Sequence, residues 1–465
     1  MSGVWCDKTE PPMNTLLKPI VETVVAIQQE GGVLWKHPQT ASEHRTRVRV
    51  SGIVADAPAR AKVQNILSHS GNQGCNTCEQ SMQRLPLTPE EIIARRNGVK
   101  VRCKRAYIYQ EIPARLRTHA RMKRQANQAY HTNQNVEGVK GPTWVSRFPK
   151  LDVARCVFAE YMHGTCLGVS RHFLKVWLTC ISGKLPGRHV QHWSLLVASI
   201  FLLLKEEISN EDLDRAKTML NEFVRNVSVL YRDWDYVYNV HQLCHLPLYV
   251  KRFGPLWSTS AFFFEGCNGN LAGLIHGTKN RGKELMKNIR IAHGVQILRS
   301  HVENRLLNCG SNIPRTFQLL SKVKNASLEA DVELLRSKGF NVHIIKDIFA
   351  RAKKGRYILT SKLYTREKKR GNFTIKYLSC GASGYADIKY CICYDGANFA
   401  VVDRLRINHI ALFFIDSVGF SLTHIVPVER DPMETIVLTL DEIVTKVMRV
   451  GDFVCLSPNR YETNL

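Results

Sequence analysis

The chain has 465 residues, with 65 Lys and Arg against 40 Asp and Glu and a formal net charge of +25. Its hydrophobic content of 44% excludes a largely disordered protein, and its length predicts about two or three domains. So large a positive charge favours a polyanionic partner, DNA or RNA above all, over a basic surface that meets nothing but solvent.

Cysteine usage and the N-terminal sequence predict a reducing compartment. The fourteen cysteines are scattered along the chain, and the start MSGVWCDKTEPP lacks the apolar core of a signal peptide. We therefore expect free thiols and bound metal rather than disulfides. The longest apolar run, residues 194–204, is too short to cross a bilayer, so no membrane partner is expected.

The N-terminal elements predict the edge of an open α/β sheet. Residues 12–30 carry apolar side chains at helical spacing and are followed by two glycines. Residues 47–55 predict a strand, and Pro58 favours a helix that runs on to about residue 67. Asp56 lies between these two elements, where an acidic residue is a catalytic candidate. The alternative is that Asp56 simply caps the helix.

The following segment predicts a basic, mostly helical insertion. Helical periods recur at 165–181, 189–208, 210–232 and 235–251. A basic helix is also predicted at about 114–130, within a stripe of cations suited to phosphate contacts, with a solvated charged helix as the alternative. The stripe consists of Arg102, Lys104, Arg105, Arg115, Arg117, Arg121, Lys123 and Arg124, with Tyr107, Tyr109 and Tyr130 interleaved as candidates for base stacking.

Two pairs of residues predict one zinc site. Cys75 and Cys78 have the spacing of a zinc knuckle, and Gly74 before them lets the backbone turn. His241 and His245 are four residues apart, which puts both rings on one face of a helix. Each pair is half of a tetrahedral site, and together they form a Cys2His2 set. The alternatives are two loop thiols and two ordinary histidines.

The C-terminal half predicts a second acidic residue and a change of fold class. Glu265 directly follows the aromatic run 260–264, where a carboxylate needs a salt bridge or a metal. With Asp56 it would hold Mg²⁺ or Mn²⁺ for phosphoryl transfer. From about residue 340 the chain consists of short β-branched and aromatic runs, which predict a β-rich domain.

Several of these motifs resemble DNA transposases of the CACTA (En/Spm) class and their relatives in animal genomes. The matching segments are ADAPARAKVQN, GCNTC, VEGVKGPTW, AEYMHGTCLGV and HQLCHLPLYVKRFGPLWSTSAFFFEGCNGNLAGLIHGTKN. They occur in the right order over roughly residues 1–300. The resemblance implies an RNase H-like fold with an Asp-Asp-Glu triad, interrupted by a helical insertion before the Glu.

The resemblance also implies roles for individual residues. Asp56 would be the second triad carboxylate and Glu265 the third. The same superfamily grouping includes the catalytic subunit of the antigen-receptor recombinase, which holds zinc through a corresponding CxxC and two histidines. That carry-over supports the same four zinc ligands in this chain.

Two departures from the family pattern affect the expected activity. The family's Asp-x-x-His motif appears as Glu160-Tyr-Met-His163, which makes Glu160 and His163 auxiliary candidates. The first triad Asp belongs on an opening strand, yet Asp7 is the one Asp before Asp56. MSGVW would then be the third strand of the sheet, and the resemblance implies an N-terminally truncated core.

The predicted fold is α/β, with a partial RNase H-like core interrupted by a mostly helical insertion that a zinc ion closes, and a C-terminal β-rich domain. The expected boundaries are 1–67 and 251–308 for the core, 68–250 for the insertion, 309–339 for a helical connector and 340–465 for the β-rich domain. The expected function is that of a transposase-derived, nuclear DNA-binding protein of the Asp-Asp-Glu class. It should be catalytically incomplete and able to form homo-oligomers. The alternative is a non-catalytic chromatin-binding zinc protein.

Overall fold

A computed structural model of the chain describes residues 12–37, 40–101, 104–158, 160–180, 186–277, 279–308, 317–324, 328–354, 357–364, 373–408 and 414–459. It contains both helices and sheet, with a large antiparallel sheet in the C-terminal part. The chain divides into two compact units, Met1–Val295 and Gln296–Leu465, and each has hydrophobic cores of its own. The strand predicted at residues 1–5, and Asp7, lie outside the described residues.

The first unit begins with a helix and an exposed hairpin. Helix α1 spans Met13–Gln29, close to the prediction. Strands β1 (Val33–Lys36) and β2 (Glu43–Thr46) form an antiparallel hairpin, and the residues of both strands are exposed. The strand predicted at 47–55 is much shorter, since ladder pairing is confined to β3 (Ile53–Val54).

A short parallel pair of strands lies in the core of this unit. Strand β3 pairs with β6 (Val157–Phe158) in parallel. Helix α2 (Ala57–Gln64) follows β3 and ends at Asn65, which has a left-handed φ of 52°. The core around these elements includes Val21, Ala61, Val63, Ile66, Met122, Val139, Val145 and Val157.

The segment between α2 and β6 contains short elements joined by loops. Strands β4 (Gln83–Arg84) and β5 (Arg105–Ala106) pair antiparallel on either side of helix α3 (Pro89–Arg96). Helix α4 spans His119–Thr132 and begins later than predicted, because the Thr118 side chain caps it by accepting the Arg121 N–H. Met122, Gln125 and Ala129 form the buried face of α4.

After β6 the chain is helical, as the sequence periodicity predicts. A π-helical stretch, Met162–Ser170, continues into α5 (Arg171–Cys180). Helices α6 (Gly187–Leu203) and α7 (Asn210–Arg225) pack together and bury Leu203 and Phe223 completely. The remaining helices are α8 (Val227–Leu230), α9 (Tyr238–Leu243), α10 (Leu246–Phe253), α11 (Phe262–Ala272) and α12 (Arg281–Asn308). Of the helices described, none has the length and apolar character needed to span a membrane.

The second unit is built on antiparallel strands. They are β7 (Gln318–Lys322), β8 (Ile348–Lys354), β9 (Tyr357–Thr360), β10 (Thr374–Ser379), β11 (Ala382–Tyr394), β12 (Ala397–Ile407), β13 (Phe414–Ile415), β14 (Phe420–Ser421), β15 (Ile425–Thr439), β16 (Ile443–Lys446), β17 (Met448–Val450) and β18 (Phe453–Cys455). The sheet order is β16–β10–β11–β12–β15–β18–β17, with β7, β8 and β9 joined through β8 to β11.

The long central strand β11 separates two cores. Ile388 and Cys391 belong to one core, and Tyr390 and Ile392 to the other. Ile388 and Cys391 belong to the same core although an odd number of positions separates them along the strand. The reason is that the register of β11 against β12 shifts between Ile388 and Tyr390. A bulge of this kind moves later side chains to the opposite face.

The segment 309–339, predicted to be a helical connector, is different in its described part. It contributes strand β7, which pairs with β8, and one short helix, α13 (Val332–Ser337). The β-rich region therefore begins before residue 340. The helical prediction is wrong at residues 318–322, which form β7 with Leu319 packed against the core of the sheet, and it agrees with the structure at α13.

Candidate metal centre and neighbouring carboxylates

The two halves of the predicted zinc site come together in the structure. Cys75 and Cys78 lie in the loop after α2, and His241 and His245 lie at α9 and directly before α10. All four residues are buried, with exposed fractions of 0%, 2%, 6% and 8% in chain order. Their ligand atoms all lie within 4.8 Å of one another.

The distances match those of a tetrahedral zinc site. Cys75 Sγ lies 3.6 Å from His245 Nε2, and Cys78 Sγ lies 3.3 Å from His241 Nε2. The two Nε2 atoms are 3.3 Å apart. Zinc bonds of about 2.3 Å to sulfur and about 2.0 Å to nitrogen require separations of about 3.5 Å between sulfur and nitrogen and about 3.3 Å between nitrogens. The four residues therefore fit a structural zinc ion.

Local sequence explains how each half takes its conformation. Pro247 has no N–H to bond the carbonyl of Leu243, so the helix predicted at 235–251 breaks into α9 and α10 between the two histidines. Across this break the rings of His241 and His245 still converge, with their Nε2 atoms 3.3 Å apart. On the cysteine side, Gly74 is required because a Cβ there would overlap the Ser68 carbonyl oxygen. Close backbone approach, rather than a positive φ, is thus the reason for this glycine.

Groups around the cluster hold the ligands in place. Cys75 Sγ accepts N–H groups from the backbone of Thr77 and Cys78, both at 3.4 Å. It also accepts from Gln242 Nε2 at 3.1 Å. The ring of Tyr107 stacks on His241 with 4.7 Å between centroids. Such outer contacts fix ligand orientation in metal sites.

The two thiols are electrostatically coupled. Burial acts to raise the pKa of Cys75, but its hydrogen bond with Cys78 and the charges of His241 and His245 bring that pKa well below the usual value. The same hydrogen bond, with burial, raises the pKa of Cys78 above the usual value. Zinc binds both residues as thiolates, so zinc binding is coupled to proton release.

Arg117 is part of this metal centre and is unavailable to phosphate. It is 1% exposed. Its Nε donates to the Cys75 carbonyl at 2.8 Å, and its Nη2 donates to the carbonyls of Gln73 and Glu137 at 3.1 and 2.8 Å. The prediction that Arg117 contacts nucleic acid is therefore wrong. Tyr107 is equally buried, so it is not a free stacking surface.

The rest of the basic stripe divides into paired and exposed cations. Arg121 Nε donates to Glu79 Oε1 at 2.7 Å, and Lys104 Nζ lies 2.8 Å from Glu91 Oε1 and over the Trp234 ring. Arg102 lies outside the described residues. The members with exposed side chains are Arg105, Arg115, Lys123 and Arg124.

Two acidic residues follow the paired strands. Asp56 comes two residues after β3 and Glu160 two residues after β6. Because these strands are parallel, both residues lie at the carboxyl edge of the pair. Asp56 Oδ1 accepts the Ala59 N–H at 2.9 Å, so Asp56 is the N-cap of α2, as the alternative prediction had it.

Glu160 is a buried hydrogen-bonding centre. It is 1% exposed. One carboxylate oxygen accepts the N–H groups of Met162 and Ala261 at 2.7 and 2.8 Å. The other accepts the backbone N–H of His163 at 2.8 Å and lies 2.9 Å from His163 Nδ1. The bond to Ala261 ties the start of α11 to the end of β6.

This tie brings Glu265 to the same edge. Its Oε1 lies 3.9 Å from His163 Nε2, so His163 stands between Glu160 and Glu265. The side chain of Glu265 is 55% exposed, and α11 has no buried residue. The phenylalanines before it also face solvent, so burial gives no support to the prediction that Glu265 needs a salt bridge or a metal.

The predicted Mg²⁺ or Mn²⁺ site lacks geometric support. Within the described ranges, the Cys2His2 cluster is the one group of three or more His, Cys, Asp and Glu side chains close enough to hold a metal ion. Asp56, Glu160 and Glu265 form no such group of three there.

Sequence reasoning missed the residues that support the ligands. Arg117 was grouped with surface cations, and Gln242 and Asn76 were not singled out. Asn76 Nδ2 donates to the Val157 carbonyl at 2.9 Å, which ties the cysteine loop to β6. Their roles depend on partners far away in sequence, so no local pattern marks them.

Comparison with known proteins adds no relative to this description. Neither models of protein families nor curated proteins give a match to the chain. The resemblance to CACTA transposases, which depends on sequence motifs, therefore stays a prediction.

Proposed function

We propose that this chain is a nuclear DNA-binding protein derived from a transposase, in which one zinc ion closes a helical insertion onto an RNase H-like core. The observation that carries the proposal is the meeting of two ligand pairs separated by 163 and 170 residues. An insertion closed by a CxxC near its start and two histidines near its end is what the resemblance implies.

The strand pair supports the proposed core. A parallel pair with acidic residues at its carboxyl edge is compatible with an RNase H-like arrangement. The Ala261–Glu160 hydrogen bond returns the chain from the insertion to this edge, next to His163 and Glu265. The order of Asp56, the insertion and Glu265 agrees with the order in the family.

We also propose that the chain binds DNA without cleaving it. Glu160 already accepts four hydrogen bonds, which leaves its oxygens little capacity for a cation. Asp56 caps a helix with one of its oxygens. A chain with the zinc site and the basic surface, in which Asp56 and Glu160 already accept hydrogen bonds from the protein itself, is suited to binding.

Charge supports DNA as the partner. The net charge is +25. Arg115, Lys123 and Arg124 are exposed on or just before α4, and Arg105 is exposed on β5. Cations of this kind bind phosphates and release counterions, which makes affinity fall steeply as salt rises.

A salt titration tests the binding proposal. Duplex DNA carrying a fluorophore is titrated with zinc-loaded protein, and anisotropy is measured at several salt concentrations. In the triple variant Arg115→Gln, Lys123→Gln and Arg124→Gln, the slope of log K against log salt should decrease by about 0.9 for each lost phosphate contact.

The control carries the same charge change elsewhere. Arg95, Arg96 and Lys100 are exposed at the end of α3 and after it, and their triple Gln variant should keep the wild-type slope. A salt-independent affinity, or equal slopes in both variants and wild type, would contradict the assignment of this surface.

A nicking assay tests the absence of cleavage. Supercoiled plasmid is incubated with the protein and Mg²⁺ or Mn²⁺, and we expect no nicked product. Nicking that disappears in Glu265→Gln while DNA binding stays intact would refute the non-catalytic proposal and restore Glu265 as a catalytic residue.

A further inference from the structure

We infer that a cleft beside the Cys2His2 cluster binds a short peptide segment that combines aliphatic and acidic side chains. The cleft has a volume of about 590 Å³, which lies within the range of about 300–1,000 Å³ common for ligand pockets. This inference concerns a protein partner and does not depend on DNA binding.

The cleft is built from three parts of the first unit. These parts are a stripe of α7, the irregular segment 107–116 and the segment from His241 into α10. Residues on the α7 stripe recur at helical spacing, which keeps them on one face. Three of the four zinc ligands, Cys78, His241 and His245, also belong to the lining.

The lining favours aliphatic side chains over nucleobases. Leu116, Leu213 and Leu248 line the cleft, and Leu116 and Leu248 are 40% and 37% exposed. The two tyrosine rings in the lining, Tyr107 and Tyr109, each contact another side chain of the protein. Tyr107 stacks on His241, and the Arg225 guanidinium lies 5.5 Å from the Tyr109 ring centroid. Stacking of a base would therefore compete with contacts that the protein already makes.

The charges favour acidic residues on the ligand. Lys217 and Lys251 line the cleft with one opposing carboxylate, Asp214. Across the described chain, neither lysine lies in an ion pair with a carboxylate. Two lysines at an apolar cleft complement acidic residues beside an aliphatic anchor, and such complementarity selects partners and speeds association.

Amide side chains suit the backbone of an extended peptide. Gln110, Asn210 and Asn221 line the same cleft. Each amide offers both a donor and an acceptor, which match the alternating N–H and C=O groups of a peptide chain. Aliphatic pockets, amide groups and lysines together therefore specify a peptide rather than a bare anion.

The metal centre couples this cleft to zinc. Its lining combines Cys78 with His241 and His245, which are far apart in the sequence, so the cleft forms when the four ligands come together. Peptide binding should therefore be lost on zinc removal and restored when zinc is returned.

Fluorescence anisotropy with defined peptides tests the inference. The probe is a labelled peptide of sequence Asp-Leu-Leu-Asp-Leu-Asp, with one counterpart in which Lys replaces each Asp and another in which Ser replaces each Leu. At physiological salt, we expect saturable binding of the first peptide and about tenfold weaker binding in the variant Lys217→Glu/Lys251→Glu. The matched control, Lys140→Glu/Lys150→Glu, has the same charge change outside the cleft and should bind like wild type.

Each outcome decides the matter. Weak binding of both counterparts, and loss of binding in the cleft variant with zinc content and folding unchanged, would support the inference. Equal binding of the Ser counterpart would show charge attraction alone and overturn it. Equal binding by the cleft variant and wild type would also overturn the inference. Displacement of the peptide by a short single-stranded oligonucleotide at equal concentration would overturn it as well. DNA binding is measured in parallel with the salt titration, so the two proposals fail separately.

Discussion

The two units hold distant residues together by different means. In the first unit, Cys75 and Cys78 meet His241 and His245 around a space sized for zinc. In the second unit, strands are joined by a chain of partly buried ion pairs. The first tie depends on an ion from solution, whereas the second consists of the chain's own side chains. Folding of the first unit should therefore respond to metal supply, and folding of the second should not.

The ion-pair chain is centred on Asp387, which is buried in β11. Its oxygens accept from Thr374 Oγ1 at 2.7 Å and from Arg449 Nη1 at 2.6 Å, and Lys362 Nζ lies 3.5 Å away. Lys362 Nζ also lies 2.6 Å from Asp403. Removing one member leaves partly buried charged groups without their full counter-charge.

The largest predicted effect is the loss of zinc from the first unit. Cys75→Ser and His245→Ala should each abolish stoichiometric zinc binding, because each removes one of four ligands. Structural zinc sites contribute about 10 kcal/mol or more to folding in small domains. Metal analysis and thermal unfolding with and without chelator should show the first unit destabilised and the β-rich unit unchanged.

Cys244→Ser is the matched control for that prediction. Cys244 lies between the two histidines, and burial raises its pKa to about 12, so it stays a neutral thiol. This variant should keep one zinc per chain. Zinc retained by Cys75→Ser, or lost from Cys244→Ser to the same extent, would break the assignment of ligands.

The next largest effect is expected from Asp387→Asn in the second unit. The substitution keeps the size of the side chain but removes the charge that Arg449 and Lys362 face. Breaking a buried pair in this way costs about 3–5 kcal/mol, and the cost should lie near the lower end because both cations are partly exposed. Denaturant unfolding should show a lower midpoint for this unit, with zinc content unaffected.

An exposed pair in the same unit gives the control. Asp441 is 73% exposed and lies 3.0 Å from Lys354 Nζ. Asp441→Asn should change stability by less than about 1 kcal/mol, because exposed pairs contribute little. Similar effects of the two substitutions would mean that the ion-pair chain does not hold the sheet together.

The same contrast explains what sequence reasoning could find. Helical periods predicted α1, α6 and α7 well, because amphipathic spacing is a local property. The zinc ligands were also predictable, since each pair had a chelating spacing. The hairpin β1–β2 was not predicted, because the residues of its two strands are all exposed and carry no burial pattern.

Long-range environment accounts for the wrong predictions. Arg117 has the same side chain as Arg115, yet carbonyl groups from Gln73, Cys75 and Glu137 converge on it and make burial favourable. Phe263 belongs to an apolar aromatic run, yet it is 73% exposed. A sequence gives the chemistry of a side chain, whereas the partners that decide its burial come from other segments.

Acid should destabilise both units through one buried histidine in each. Burial lowers the pKa of His192 and of His424 from 6.5 to about 4. The unfolded chain therefore binds protons between these values while the folded chain does not. Stability is complete above pH 6.5 and falls as the pH drops toward 4, by about 3 kcal/mol for each group.

Glutamine variants separate the two contributions. The Nε2 atom of His192 lies 2.8 Å from the Phe223 carbonyl, and an amide can replace that donor without titrating. With saturating zinc, His192→Gln should reduce the slope of stability against pH in the first unit, and His424→Gln should do so in the second. A slope unchanged by either substitution would show that other groups cause the acid sensitivity.

The smallest predicted effects concern local caps, where the two units should behave alike. Ser209 caps α7 by accepting the Asp212 N–H at 3.0 Å, and Asp212 in turn accepts the Ser209 N–H at 3.1 Å. In the β-rich unit, Glu442 accepts the backbone N–H and the hydroxyl of Thr439 at 2.7 and 3.0 Å. Ser209→Ala and Thr439→Ala should each cost about 1 kcal/mol, measured by denaturant unfolding, because both contacts are local and exposed. If both costs are small and equal, the stability of the two units differs through their long-range contacts and not through their local caps. A cost at Ser209 as large as that of Asp387→Asn would instead mean that α7 depends on its cap to hold the metal centre together.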